Sequence, residues 1–136
     1  MEKISSPYIP NENEGHPDHK EVNKIALEAI SFSPGRWLKK YNSVENSWKI
    51  PLVLSYEITV YLKNYYTVDI TDFIDIKIES LKKHASQMTI NRDYAEVAKA
   101  LNANRGAINL GNGKYGECFE VLRSTEEVIE KYIKSD

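Results

Sequence analysis

The chain has 136 residues, a formal charge of −2 at pH 7, 41% hydrophobic residues and 28% charged ones. That length can bury a core without cross-links, and the composition is too apolar for wholesale disorder. The near-neutral balance argues against a domain held on nucleic acid or an anionic membrane by bulk charge. The single cysteine, Cys118, excludes an intramolecular disulfide and points to a reducing compartment.

The opening stretch MEKISSPYIPNENEGHPDHK contains no apolar run of the kind a signal peptide needs. No later stretch approaches the roughly 18 apolar residues of a membrane span. The expectation is a cytoplasmic protein. Residues 1–17 mix proline, glycine and polar side chains without a period, and read as a flexible N-terminal arm. Residues 18–136 then form a single globular domain.

Asp18 and Glu21 have the spacing of a capping box. Val22, Ile25, Ala26, Ala29 and Ile30 follow at helical intervals, so a helix is predicted over 19–32. SPGR ends it, with Pro34 and Gly35 suited to a type II turn. In LVLSYEITVYLK the alternate positions Leu52, Leu54, Tyr56, Ile58, Val60 and Leu62 are apolar, which predicts a strand over 52–62. A buried helix opened by Pro51 competes with it. DITDFIDIKIESLKKHA is an amphipathic helix, with Ile70, Phe73, Ile74, Ile78 and Leu81 inward and Asp72, Asp75 and Glu79 on the opposite face. Asp93 and Glu96 repeat the capping spacing and open a short helix with Tyr94, Val97, Ala98 and Leu101 inward. Ser124 and Glu127 open a last one, with Val128, Ile129, Tyr132 and Ile133 as its apolar positions.

The words YAEVAKALNANRGAI, with the small Ala98 where two helices would touch, resemble the first helix and turn of the helix-turn-helix family. The resemblance implies a DNA-reading helix directly afterwards. That place is taken by RGAINLGNGKYG, which holds Gly106, Gly111, Gly113 and Gly116. Each glycine inside a helix costs roughly 1 kcal/mol relative to alanine. A hairpin over 107–122, turning at Asn112–Gly113, is expected instead.

Chemistry-bearing residues are sparse. His16, Asp18 and His19 lie close together in HPDH and are ligand types for a metal, but Asp18 has a capping role and no metal is assigned. His84 reads as a packed or rim histidine. Cys118 stands between Glu117 and Glu120, which disfavour its thiolate, so a buried structural thiol is expected. No phosphate-loop or dinucleotide fingerprint occurs. No catalytic residue and no cofactor is assigned, and the chain is read as a non-enzyme.

Two groups remain as candidate partner-binding surfaces. Asp72, Asp75 and Glu79 make an acidic helix face. Arg36, Trp37 and Tyr41, with Tyr61, Tyr65 and Tyr66 from a chain holding nine tyrosines, make an aromatic and basic set. Such residues are enriched at protein interfaces. The fold expected is α+β, with about four helices on a small antiparallel sheet that includes the 107–122 hairpin; a mainly α fold with an attached hairpin is the alternative. The function expected is a small cytoplasmic inhibitor of immunity-protein or antitoxin type, occupying a basic protein partner such as a toxin or nuclease, with no membrane role. A small nucleic-acid-binding regulator, using residues 36–49 or Arg92, Lys99, Arg105 and Lys114, is the alternative.

Overall fold

The structure is a computed structural model, and it describes residues 6–33, 50–89 and 92–124. These residues form three α-helices, α1 (Pro17–Phe32), α2 (Ile74–Lys82) and α3 (Tyr94–Asn109). The strands are β1 (Tyr8–Pro10), β2 (Leu52–Tyr56), β3 (Tyr66–Asp69), β4 (Met88–Thr89), β5 (Arg92–Asp93) and β6 (Gly116–Ser124). Four of them make one sheet in the order β1-β2-β6-β3, and β4 pairs with β5 apart from it. The sheet is mixed: β1 runs parallel to β2, whereas β3 and β6 are antiparallel. The α+β class stands, but the expected antiparallel sheet with its hairpin does not. The helix expected after Ser124 lies outside the described residues.

The chain divides into two compact units, residues 1–64 with 120–136, and residues 65–119. In the first, Tyr8, Ile9 and Pro10 align with Leu54, Ser55 and Tyr56, so part of the segment read as an arm is a strand. Ile9, Ile30 and Val53 form the core, with Ala26 and Ile50 packed against them. The strand expected over 52–62 stops at Tyr56. Beyond it the backbone leaves the sheet, because residues 58–60 turn their N–H groups onto the Glu14 carboxylate and Leu62 donates to Glu57 Oε1 at 2.7 Å. Alternation that continues past a strand end is a property of composition, not of pairing.

α1 starts two residues earlier than predicted, because Pro17 is preset for a first helical position. Its N-cap is His16, whose Nδ1 accepts from the Asp18 N–H at 3.2 Å. Asp18 is therefore a first-turn acid and not the cap. The helix turns Asn23, Ala26 and Ile30 inward and leaves Val22, Ile25 and Phe32 exposed.

In the second unit, Ile70, Ile74, Ile78 and Ala95 form the core with Leu81 and Tyr115 beside it. Phe73, expected inward, is 62% exposed. Residues 71–73 form a 3-10 turn, whose three-residue period rotates Phe73 off the α2 face. α3 opens as predicted on Asp93, whose Oδ1 accepts from the N–H groups of Ala95 and Glu96. It then runs unbroken to Asn109 through Gly106, so residues 107–109 are helix and not the first arm of a hairpin. β3 is the antiparallel partner of β6, with Thr67 opposite Cys118.

Gly106 survives inside the helix because nothing larger fits. A Cβ there would strike the Lys114 carbonyl and stand 2.6 Å from Tyr115 N. A Cβ on Gly116 would stand 2.6 Å from Thr67 Cγ2. The two glycines let α3 lie directly on the chain that returns into β6, where Asn102 donates to the Gly116 carbonyl at 2.8 Å.

Candidate functional site

Two places in the described residues concentrate polar chemistry. The first is the outer face of α2 and the turn before it. Asp72, Asp75 and Glu79 are all exposed there, as the sequence predicts. None has a hydrogen-bond or ion-pair partner among the described residues. Ile76, 67% exposed, and Phe73, 62% exposed, lie to one side of them. The face is three solvated carboxylates beside an uncovered apolar patch. On the inner flank, Lys77 pairs with Glu117 at 2.7 Å, so that acid is already neutralised.

The second is the start of α1. The His16 and His19 rings stand 5.1 Å apart between centroids. His16 Nδ1 is also 3.8 Å from Asp18 Oδ2, a contact that would need a proton on the same nitrogen that accepts the cap bond. The cap bond is the shorter contact and the better defined, so Nδ1 serves as the cap acceptor. His19 Nδ1 is buried and has no hydrogen-bond partner among the described residues.

Glu14 holds the chain that leads into this turn. Its side chain is wholly buried. Oε1 accepts from the N–H groups of Ile58, Thr59 and Val60 at 2.9, 3.0 and 3.2 Å. Oε2 accepts from the Thr59 hydroxyl at 2.7 Å. Burial pushes the carboxyl up, but these donors together outweigh it and hold the group below its ordinary value. Tyr56 is shifted upward by burial and by the Glu14 charge. Asn11 adds to the clasp, accepting from Asn13 N at 3.0 Å and donating to the Val60 carbonyl at 3.4 Å. No local signal marks Glu14: it lies in NENEGH, two residues from the chemically identical Glu12, and its partners are more than forty residues away.

A parallel lock sits at the end of β3. Asp69 accepts from the Thr71 hydroxyl and backbone N–H and pairs with Lys114 at 3.0 Å. The Thr71 hydroxyl, then its N–H, then Lys114 bring Asp69 down to about 2.

Of the aromatic and basic set, Arg36, Trp37 and Tyr41 lie outside the described residues. Tyr61 is exposed in the first unit. Tyr65 and Tyr66 belong to the second, where both are engaged. The Arg105 guanidinium lies over the Tyr65 ring, 4.1 Å from its centroid, and the Tyr66 ring packs 5.9 Å from that of Phe119. Arg105 is itself buried, and Lys114 is tied to Asp69. Cys118 is buried, as expected from the sequence, with its sulfur 3.4 Å from the Thr67 hydroxyl. His84 is exposed.

No protein-family model matches the chain. Among solved structures it is similar to the conserved protein TT1542 from Thermus thermophilus, at 23% sequence identity and a TM-score of 0.73. The match covers 89% of this chain and 53% of the Thermus chain. The chain thus spans about half the length of that protein. The likeness supports the fold and carries no statement about chemistry. Among the described residues, no helix is long and apolar enough to cross a membrane.

Proposed function

We propose that the chain is a non-enzymatic binding protein that neutralises a basic protein partner, in the manner of an immunity protein or antitoxin, through the outer face of α2. One observation supports the reading best: Ile76 and Phe73 are uncovered beside Asp72, Asp75 and Glu79, acids without partners among the described residues. An uncovered apolar patch flanked by charges suits an interface whose affinity comes from the patch and whose association rate comes from the charges. The test is capture of the tagged chain from its source cells, with and without nuclease. One stoichiometric protein that survives nuclease, and is lost with Ile76→Asp, supports the reading. Capture unaffected by Ile76→Asp removes α2 as the site.

A further inference from the structure

The first unit contains a cavity of about 280 Å³ lined by Asn11, Glu12, Asn23, Leu27, Ser55, Glu120 and Leu122. Its chemistry is one-sided. Two carboxylates face it, and among the described residues no lysine, arginine or histidine lines it. Ser55 is 2% exposed and its hydroxyl makes no hydrogen bond among the described residues. Asn23 is 5% exposed and donates its amide to the Pro10 carbonyl at 2.7 Å, which leaves its Oδ1 without a donor there. Both side chains are deep, polar, rich in acceptors, and line one space. Acceptors that the protein leaves without donors and that open onto the cavity can take them from a ligand or from water. Leu27 and Leu122 supply the apolar part of the wall.

We infer that this cavity is a binding site for a small alkyl diammonium ion, its methylenes against Leu27 and Leu122 and its ammonium groups held by Glu12, Glu120 and the Ser55 and Asn23 oxygens. Charge decides the sign: with carboxylates as the charged groups of the wall, an anion would meet repulsion and a neutral apolar molecule would leave the carboxylates and the hydroxyl unpaired. Size decides the scale, since the volume lies at the lower end of small-molecule sites. The leucines argue against a bare metal ion, which gains nothing from apolar walls. The site shares no lining residue with the α2 face, so it stands or falls independently of the proposed function.

The probe is putrescine, titrated into the purified chain by calorimetry at low ionic strength. Expected are one saturable site, at least tenfold weaker binding for Glu12→Gln/Glu120→Gln, and no detectable binding of the neutral isostere 1,4-butanediol. The two glutamates are not packed in the core, so the double variant keeps the fold, which circular dichroism verifies. Ser55→Ala, which removes only a hydroxyl, should weaken putrescine severalfold. No saturation by 10 mM putrescine, equal affinity in the double variant, or displacement of putrescine by equimolar calcium would overturn the inference.

Discussion

Glu14 is a buried anchor of the first unit. It gathers four donors from residues 58–60 into one buried carboxylate. Removing it leaves those donors unpaired, so Glu14→Ala should cost about 3 kcal/mol, read as a lower urea midpoint at unchanged slope. A loss under about 0.5 kcal/mol, the range of ordinary surface changes, would show that water replaces the clasp. The same contacts set a pH dependence. The folded carboxyl lies below its ordinary value, so the folded state binds this proton less readily than the unfolded chain does. Its contribution is complete above about pH 4.3, the unfolded value, and is lost as pH falls through the folded one. Glu14→Gln should therefore flatten the acid limb of a stability–pH profile measured from pH 7 to 3. Asp69 is brought to about 2 by Thr71 and Lys114. In the wild type its carboxyl signal should remain ionised at pH 3 by NMR, and move toward the ordinary range in Thr71→Val.

Among the elements, α1 inverts an expectation drawn from periodicity and α3 one drawn from glycine content. On α1, Val22 and Ile25 look like core and are exposed, whereas Ile30 is buried. Ile30→Ala should thus cost about 2–5 kcal/mol, and Ile25→Ser should stay within about 0.5 kcal/mol. Thermal unfolding of the two variants measures this directly. On α3 the decisive position is Gly106. Adding one methyl usually stabilises an exposed helix, but here it would meet the Lys114 carbonyl. Gly106→Ala is expected to destabilise by about 1–3 kcal/mol, and a gain in stability would mean that the 114–115 backbone can move aside.

For the whole molecule, net charge is a poor guide, because −2 over 136 residues conceals local asymmetry. Lys77, Glu117, Lys114 and Asp69 cancel in pairs, while Asp72, Asp75 and Glu79 remain solvated together. If that face receives a basic partner, Asp72→Lys/Glu79→Lys should lower affinity at least tenfold, mostly in the association rate. The wild-type affinity should fall with added salt while that of the double variant does not. Unchanged binding across both tests would leave the acidic face without a role.

Much of the local plan could be read before any fold was known. Asp93 announces the start of α3, and Ile70, Ile74 and Ile78 announce the buried face of α2, because capping and helical periodicity act within a few residues. Acidic exposure on α2 follows from the same period. Long-range pairing was not readable in this way. That β2 takes β1 as a parallel neighbour, that β6 takes β3 and not residues 107–110, and that Glu14 reaches residues 58–60 are facts about segments far apart in sequence. Local glycine content argued for a hairpin, and Gly106 in fact marks a place where helix and returning chain touch. The reason is the same in each case: propensities and caps are set by neighbours along the chain, whereas register, close approach and burial of a charge are set by whatever backbone arrives from elsewhere.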